Sequence, residues 1–378
     1  MKFLMISSYL PSVLNFRGKL LEAIHAQGLE IHVLAPDLQD YPDELNQLQQ
    51  LGYQVHTVPM QRTGTNPIQD LKTLKAMYQL IRQIQPDYVL SYTIKPVIYG
   101  TLAASLAKVP HRFALITGLG YAFQNAESGK RSIFQKMVHS LYAQALKHAH
   151  KVFFQNPDDL KLFQSMQLVS PQKPTVVVNG SGVNVQDFAV LDLPKNEHGQ
   201  AKASFLLIAR LLGDKGVREY AEAARIIKAK HPEVEFHLVG WIDENPAAIA
   251  QAELDTWVAE KVVNYWGKLS DVRPAIAASS VYVLPSYREG TPRTVLEAMA
   301  MGRAIITTDA PGCRETVIHG QNGYLVPVKS VEELVQAMQT FIDDPQLMVR
   351  MGQRSREIAL EKYDVHQVNA HMMSEMGV

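Results

Sequence analysis

Residues 285–315 read PSYREGTPRTVLEAMAMGRAIITTDAPGCRE and predict a helix followed by a buried strand. Thr291 is a residue type that caps helices, and Pro292 suits the first helical position because its missing N–H is not needed there. Apolar residues at helical spacing follow, and Gly302 predicts the end of the helix. The run AIITT at 304–308 then predicts a strand. The stretch therefore predicts one repeat of a parallel α/β sheet.

The same alternation of short apolar strands and amphipathic helices runs along the rest of the chain. One series of strands is predicted between residues 2 and 178, and a second between residues 205 and 307. Such alternation is typical of parallel, doubly wound sheets. A chain of 378 residues also exceeds the usual single core. We therefore expect an α/β protein with two Rossmann-like domains.

The composition argues against several classes of protein. The formal net charge is zero, so bulk binding of nucleic acid is not expected. The single cysteine, Cys313, permits no disulfide within the chain and fits a reducing compartment. The first residues, MKFLMISSYLP, are broken too soon by Pro11 to suggest a signal peptide. No apolar run approaches the ~20 residues of a transmembrane helix, so a role at a membrane would be peripheral.

Two carboxylates flank the predicted helix start within residues 285–315. Glu289 precedes the helix and Glu297 lies inside it. Free N–H groups at a helix start form an anion site, and a carboxylate on each side could hold the hydroxyl-rich groups that flank a bound diphosphate. A nucleotide-sugar has this layout of sugar, diphosphate and ribose. The simpler interpretation is an ordinary capped helix with two solvated carboxylates.

These residues, with their E-x7-E spacing, resemble the donor site of retaining glycosyltransferases of family 4. That family has the GT-B fold, in which two Rossmann-like domains face a central cleft. The resemblance implies that Glu289 binds donor-sugar hydroxyls as part of the catalytic set and that Glu297 binds the ribose. It also makes Gly290, Thr291 and Thr294 candidates for substrate contact.

Arg293 stands in the first turn of the predicted helix, beside Glu297. A cation at this end of a helix opposes the helix dipole unless an anion is bound nearby. Its position therefore supports a phosphate contact. The alternative is an exposed arginine without a role in binding.

A predicted strand ends at residues 208–210 and leads into the loop LLGDKG at 211–216. Arg210 precedes this loop and Lys215 lies within it. Arg210 and Lys215 resemble the pair, five apart, with which the family grips the donor diphosphate. A leaving nucleoside diphosphate gains negative charge as the glycosidic bond breaks, so fixed cations stabilise the transition state more than the ground state. Their place at the carboxyl end of a strand favours this function over a surface loop with two ordinary cations.

The same resemblance implies further substrate-binding residues at the ends of other predicted strands. The loop with Lys268 and Leu269 corresponds to the one that lies against the nucleotide base. Arg17 and Gly18 follow the first strand, where the family has a glycine-rich loop that opens a helix and approaches donor and acceptor.

The strings at 94–104, IKPVIYGTLAA, and 116–123, ITGLGYAF, also lie at strand ends facing the expected cleft. The second string contains the candidates Thr117 and Gly118. Both strings resemble the subgroup that builds bacterial glycans on polyprenyl diphosphate, including N-acetylgalactosaminyltransferases and other hexosyltransferases of protein glycosylation and surface polysaccharide pathways. The resemblance implies a UDP-sugar donor, an undecaprenyl-diphosphate-linked saccharide acceptor and a place on the cytoplasmic face of the bacterial inner membrane.

Residues 130–142 join cations to bulky apolar side chains. Lys130, Arg131 and Lys136 are candidates for docking on an anionic membrane surface and for meeting the polyprenyl acceptor. The alternative is a core helix with a basic, solvated face.

No metal or other cofactor is expected. The chain lacks a D-x-D motif, and His148 and His150 are two apart, so on a helix they diverge. Arg210, Lys215 and the helix dipole would then carry the leaving-group charge. No spacing indicates a covalent nucleophile. Our hypothesis is same-face attack by the acceptor hydroxyl, whose proton passes to the leaving phosphate.

The family resemblance also predicts the domain boundaries. The turn NGSGV at 179–183 resembles the interdomain linker, which assigns 1–182 to an acceptor-side and membrane-side domain and 183–356 to the nucleotide-sugar domain. A last helix, at about 357–378, would cross back onto the first domain. Two alternatives for the function remain open: a nucleotide-sugar 2-epimerase of the same fold, and a non-catalytic glycan-binding subunit.

Overall fold

The computed structural model describes residues 1–61, 66–119, 123, 130–243, 245 and 247–378, with 130–134 as backbone only. The chain divides into two compact units. Unit 1 contains Met1–Ser181 and His366–Val378, and unit 2 contains Gly182–Val365. The helices described include none that is both apolar and long enough to span a lipid bilayer.

Unit 1 is built on a seven-stranded parallel sheet in the order β3-β2-β1-β4-β5-β6-β7. The five inner strands are short and largely buried, so they read as continuous apolar runs, whereas the two edge strands are partly exposed. They are β1 (Lys2–Ile6), β2 (Glu30–Leu34), β3 (Gln54–His56), β4 (Tyr88–Tyr92), β5 (His111–Ile116), β6 (Lys151–Phe154) and β7 (Thr175–Val177).

Helices cover both faces of this sheet. They are α1 (Pro11–Ala26), α2 (Pro42–Gln50), α3 (Pro67–Ile84), α4 (Thr101–Leu106), α5 (Lys130–His148) and α6 (Pro157–Ser165). The first two pack on one face, and α3 to α6 pack on the other. Each crossover returns the chain to the same edge, which brings the carboxyl ends of the strands together.

Unit 2 repeats this plan with a six-stranded parallel sheet in the order β10-β9-β8-β11-β12-β13. The strands are β8 (Ser204–Ile208), β9 (Glu235–Val239), β10 (Asn264–Gly267), β11 (Val281–Leu284), β12 (Ala304–Thr308) and β13 (Gly323–Val326). The helices are α7 (Val217–Lys230), α8 (Gln251–Ala259), α9 (Arg273–Ala277), α10 (Arg293–Ala300), α11 (Val331–Asp343) and α12 (Pro345–Lys362). Two doubly wound parallel sheets confirm the predicted pair of Rossmann-like domains.

The chain returns to unit 1 later than the sequence suggests. Residues 357–365 belong to unit 2, because Tyr363 and its neighbours are buried in the core of that unit. The expected single last helix is interrupted after α12, where the Val183 N–H donates to the Tyr363 carbonyl (2.8 Å) and the Val365 N–H to the Val183 carbonyl (3.0 Å). The last helix, α13 (Val365–Met376), then packs on the sheet of unit 1 beside α1 and α2.

Each sheet has one point at which the order of its strands reverses. In unit 1 this point lies between β1 and β4, and in unit 2 between β8 and β11. Doubly wound sheets bind ligands outside the carboxyl ends of the strands at such a point. The fold therefore predicts a functional site at the loops that follow these four strands.

Candidate functional site

In unit 2, the loops that follow β8 and β11 are held against each other. The Tyr287 N–H and the Ser286 hydroxyl both donate to the Asp214 carbonyl, at 2.9 and 3.2 Å. Gly216 has a φ of 70°, and a Cβ there would stand 2.2 Å from the Pro285 carbonyl oxygen. Glycine at 216 is thus required both by its left-handed backbone and by this close approach.

These two loops bring together two of the predicted catalytic residues. Lys215 Nζ lies 2.5 Å from Glu289 Oε1, and each side chain is 16% exposed. A half-buried pair of this kind is sensitive to the loss of one partner, because the remaining charge is poorly solvated. The structure therefore places a cation and a carboxylate at the strand-order reversal of unit 2, although 74 residues separate them in sequence.

The loop with Glu289 is also held from the side of β12. The Glu289 N–H donates to the Pro311 carbonyl (2.9 Å), and Gly312, at a φ of 81°, leaves room for the Glu289 backbone. The Cys313 thiol packs behind it, 3.9 Å from the Ser286 carbonyl. Burial, with a smaller effect of Glu289, raises the pKa of Cys313 to about 12. Cys313 is therefore a neutral wall residue at physiological pH.

Helix α10 begins one residue later than the sequence suggests. Pro292 is extended, with a ψ of 111°, and its carbonyl accepts the Val295 N–H (3.1 Å). Pro292 therefore occupies the cap position itself, and Thr291 precedes the cap rather than forming it. Glu289, Gly290 and Thr291 thus form the segment that leads into the amino-terminal end of α10.

Glu297 and Arg293 form an ion pair along one turn of α10. Arg293 Nε lies 2.7 Å from Glu297 Oε1, and the Glu297 residue is only 6% exposed. Burial raises the pKa of Glu297, while the charge and hydrogen bond of Arg293 oppose this rise. Glu297 is thus not a solvated surface carboxylate, and Arg293 is not a free surface arginine.

Tyr282 connects the strand ends to α10, although it is not among the predicted site residues. Its hydroxyl lies 2.6 Å from Thr294 Oγ1 and 3.0 Å from the Ile208 carbonyl. Because Ile208 ends β8, this network fixes the first turn of α10 against the strand that leads to Arg210. Thr294 therefore serves to position the helix. The sequence offered no signal for Tyr282 beyond its place in an apolar strand.

Arg210 is paired with a carboxylate from the loop after β9. Its Nη1 lies 3.0 Å from Asp243 Oδ2, and the Arg210 side chain is 39% exposed. The Leu211 N–H donates to the Trp241 carbonyl (2.9 Å), which holds the two loops together. Sequence reasoning assigned no chemistry to this loop, because the partner of Arg210 becomes apparent only when β8 and β9 lie side by side.

Lys268 lies beside an exposed aromatic ring. Its Nζ stands 5.0 Å from the ring centre of Trp241, which is 40% exposed. Such a cation–π contact orients both side chains. Leu269 instead packs partly buried against the core of unit 2. Trp241 is a third residue that sequence reasoning missed; a tryptophan two residues after a buried strand was the available signal.

The strand-order reversal of unit 1 carries hydroxyl groups. Ser8 Oγ, after β1, lies 2.8 Å from Thr93 Oγ1, after β4. Thr93 has a φ of 69°, a left-handed conformation that is rare for a β-branched residue and is often found at functional sites. A π-helical turn, Pro96–Gly100, follows directly. Gly100 is needed there, because a Cβ would stand 2.7 Å from Ser91 Oγ.

The prediction that Arg17 and Gly18 form a loop is wrong. Helix α1 already begins at Pro11, whose fixed φ suits a first turn, so both residues lie within the helix. Arg17 is 2% exposed, and its guanidinium stands 5.7 Å from the centre of the Tyr92 ring. The Gln155 amide links Arg17 Nη2 (3.2 Å) to the carbonyl of Thr117 (3.2 Å).

Arg17 is thus linked through Gln155 to the residue that follows β5. Thr117 and Gly118 follow β5 as predicted, and Gly118 has a φ of 146°. For Gly18, the nearest atom to an added Cβ is 4.0 Å away, so no close approach demands a glycine at that position. Both candidates of α1 are therefore buried within the helix rather than displayed on a loop.

The predicted membrane residues are only partly described. The side chains of Lys130 and Arg131 lie outside the described residues, and Lys136 is exposed on α5. Among the described residues, no cluster of three or more His, Cys, Asp or Glu side chains could hold a metal ion. The absence of a metal requirement stays a prediction.

Two family models match the chain. The model described as "Glycosyl transferases group 1" matches residues 202–344, within unit 2. The model described as "Glycosyl transferase 4-like" matches residues 12–156, within unit 1. Together they cover both Rossmann-like domains.

Individual proteins match over most of the chain. The N,N'-diacetylbacillosaminyl-diphospho-undecaprenol alpha-1,3-N-acetylgalactosaminyltransferase of Campylobacter jejuni is 30% identical over 362 residues, 93% of this chain and 92% of that protein. The UDP-Gal:alpha-D-GlcNAc-diphosphoundecaprenol alpha-1,3-galactosyltransferase of Escherichia coli is 28% identical, with coverage of 77% and 76%. Among solved structures, Anabaena Alr3699/HepE in complex with UDP superimposes with a TM-score of 0.75 at 19% identity, covering 100% of each chain.

Proposed function

The chain belongs to the group 1 glycosyltransferases and has the GT-B fold, and on this premise we propose its substrates. It transfers a hexose, N-acetylgalactosamine or a close relative, from a UDP-sugar to a saccharide on undecaprenyl diphosphate, with retention of configuration. Two relatives are named for transfer onto sugars linked to diphospho-undecaprenol, and one structural neighbour holds UDP. These names support a role in bacterial glycan or glycoprotein assembly.

The observation that carries the proposal is the 2.5 Å contact between Lys215 and Glu289 at the strand-order reversal of unit 2. In a sugar donor, the anomeric carbon is bonded directly to a phosphate oxygen. A cation for the phosphate and a carboxylate for the sugar hydroxyls must therefore be neighbours. The contact provides both groups at one point.

Arg210 supplies the second cation of the proposed donor site. It would exchange Asp243 for phosphate oxygens, which its partly exposed side chain permits. Arginine can bind two oxygens at once, whereas lysine acts as a point charge. Both stabilise the charge that grows on the diphosphate as the glycosidic bond breaks.

The nucleoside would occupy the flanks of the same edge. Glu297 would accept hydrogen bonds from the ribose hydroxyls, and the charge and hydrogen bond of Arg293 oppose the rise in its pKa that burial causes. Lys268 and Leu269, beside Trp241, would lie against the base. Gly290 and Thr291 would contribute the backbone that leads into α10.

The proposed reaction is a substitution on one face of the sugar. The acceptor hydroxyl oxygen forms a bond to the anomeric carbon as the bond to the β-phosphate oxygen breaks. The electron pair of the broken bond leaves with UDP, and the leaving phosphate oxygen takes the proton of the acceptor hydroxyl. Arg210, Lys215 and the amino-terminal end of α10 stabilise the departing charge. The step uses neither a protein nucleophile nor a metal ion.

The lipid-linked acceptor implies a peripheral protein on the cytoplasmic face of the bacterial inner membrane. Unit 1 would face the acceptor, with Thr117 and Gly118 near the saccharide. Lys130, Arg131 and Lys136 would lie toward anionic headgroups.

The test is the release of UDP from a panel of UDP-sugars, with and without undecaprenyl-diphosphate-linked acceptors. We expect release that requires one donor together with the lipid-linked acceptor. Glu289→Gln should abolish it, whereas Glu260→Gln, an exposed change on the same unit, should not. Conversion of a UDP-sugar without acceptor would indicate a 2-epimerase, and binding without release would indicate a non-catalytic subunit; either result overturns the proposal.

A further inference from the structure

Three of the four helices that cover one face of the unit 1 sheet, α3, α4 and α5, carry charges that are almost all positive; the fourth, α6, carries Asp158, Asp159 and Lys161. Helices α3, α4 and α5 carry a single acidic residue, Asp70, which is paired with Lys95 at 2.8 Å. Against it stand seven basic residues: Lys72, Lys75, Arg82, Lys130, Arg131, Lys136 and Lys147. The whole chain has zero formal charge, so the excess of positive charge belongs to these three helices and not to the protein in general.

Helix α3 shows how these charges are arranged. The side chains that face the core are Thr73, Met77, Ile81 and Ile84. On the opposite side, one stripe at helical spacing contains exposed basic residues and two large apolar residues. Ile68 is 70% exposed and Leu71 is 66% exposed, more than any other described large hydrophobic residue except Met1.

The neighbouring helices continue this mixture. Leu106, at the end of α4, is 62% exposed, and Met137, on α5, is 42% exposed beside the exposed Lys136. Exposed hydrophobic residues that stand alone are common and need no explanation. Here four of them share one helical layer with its basic side chains, which is the composition of a surface that lies on a membrane.

The other face of the same sheet differs. Helices α1, α2 and α13 carry the acidic residues Glu22, Asp43, Glu44 and Glu375. Their exposed basic residue Lys19 is paired with Glu22 at 2.7 Å. An anionic surface would therefore attract unit 1 through the α3–α4–α5 side and repel it from the other.

We propose that the outer face of the α3–α4–α5 layer is the surface on which this protein rests on an anionic lipid bilayer. Ile68 and Leu71 enter the boundary between headgroups and acyl chains, while Lys72, Lys75 and Arg82 lie at the headgroups. A second copy of the chain fits this face poorly, because a two-fold contact would set basic residues against basic residues. The inference deepens the proposed lipid-linked acceptor, on which it rests, but the binding itself requires no sugar transfer.

The test is cosedimentation of the full chain with vesicles of phosphatidylglycerol and phosphatidylethanolamine, compared with vesicles of phosphatidylcholine alone. We expect binding to the anionic vesicles, weakened about ten-fold or more by Ile68→Ser/Leu71→Ser. Lys72→Glu/Lys75→Glu should weaken it at least as much, and 0.5 M salt should abolish the difference between this variant and the unaltered chain.

Matched controls come from the opposite layer. Leu51→Ser removes an exposed leucine there, and Lys19→Glu reverses an exposed charge. Both should bind vesicles like the unaltered chain. All variants should keep their melting temperature and, with a short-chain, water-soluble acceptor, their rate of UDP release. Loss of transfer with retained vesicle binding would count against the proposed function and not against this inference.

Three results would overturn the inference. The unaltered chain could fail to bind anionic vesicles, or all variants could bind them equally. Alternatively, Ile68→Ser/Leu71→Ser could convert a dimer to a monomer in sedimentation without changing vesicle binding, which would assign the face to a second copy of the chain.

Discussion

The two sheets share one plan, but their strand-order reversals carry different chemistry. In unit 2 the reversal is occupied by the ion pair of Lys215 and Glu289, and in unit 1 by the hydroxyls of Ser8 and Thr93. The fold determines where a ligand can approach, and the loops determine what kind of ligand it can be. Charges stand where a diphosphate is proposed to leave, and neutral hydroxyls stand in the unit that is proposed to face the acceptor.

The largest effect is expected when Lys215, the cation at the strand-order reversal of unit 2, is removed. Lys215→Ala should lower the rate of UDP release by about 10²–10³-fold, because it removes a fixed charge that stabilises the leaving group. It should change the affinity for the acceptor little. The control is Lys230→Ala, an exposed lysine at the far end of α7. Retention of the full rate by Lys215→Ala would contradict the assignment of the donor site to unit 2.

A second test concerns the buried carboxylate of α10. Glu297→Gln should weaken UDP binding about ten-fold, as expected when a charged hydrogen-bond acceptor is lost. Isothermal titration with UDP measures this change, with Glu260→Gln as the control.

The same substitution should also change how the stability of the protein depends on pH in the absence of ligand. Burial raises the pKa of Glu297 above its ordinary value of 4.5. Over a range of pH above 4.5, the folded state therefore holds more bound proton at this group than the unfolded state does. Stability should therefore fall as the pH rises through the window above 4.5. Glu297→Gln should reduce this fall. If the melting temperatures of the unaltered chain and of Glu297→Gln change with pH in the same way from pH 4.5 to 7.5, this prediction is wrong.

The hydroxyl pair of unit 1 predicts a smaller and separate effect. Thr93→Gly removes a hydroxyl but relieves a left-handed backbone, so the melting temperature should hold or rise. The KM for the acceptor should rise about five-fold, a typical effect of losing one neutral hydrogen bond, while UDP affinity should not change. Thr93→Ser is the control that keeps the hydroxyl. If Thr93→Gly changed the KM for the acceptor and the affinity for UDP equally, the assignment of different substrates to the two units would be wrong.

The smallest effect is expected at Asp243, which competes with a donor for Arg210. Asp243→Asn should strengthen UDP binding by about two- to three-fold, because partly exposed ion pairs contribute little and their release costs little. Asp255→Asn, on exposed α8, is the control. Weaker UDP binding by Asp243→Asn would show that Asp243 positions Arg210 rather than competing for it.

The sheets could be predicted from the sequence because buried parallel strands read as short apolar runs, such as SFLLI in β8 and VYVL in β11. Glu289 and Glu297 could be found because they belong to one continuous segment, in which spacing and residue type are visible together. Lys215 could be placed at a strand end by the same reasoning.

Other features of the site depend on contacts between distant segments. The partner of Arg210 is 33 residues away, on the loop of a neighbouring strand, and no local pattern marks it. The left-handed conformation of Thr93 runs against the preference of its residue type, so propensity predicts the opposite. Pro11 marks the start of α1, whereas the family pattern predicts a loop at Arg17 and Gly18.

The return of the chain at residue 366 has a consequence for biosynthesis. Met372, Met373 and Met376 lie in the same core cluster as Phe3 and Met5 of the first strand. A ribosome makes unit 1 almost entirely before unit 2, yet this part of its core closes only when the residues after unit 2 emerge. Unit 2, by contrast, is continuous in sequence and has all its residues once Val365 is free. The second unit made is therefore the first that can finish folding. A nascent chain that stalls before residue 366 would expose to chaperones the apolar part of the sheet face that α13 covers.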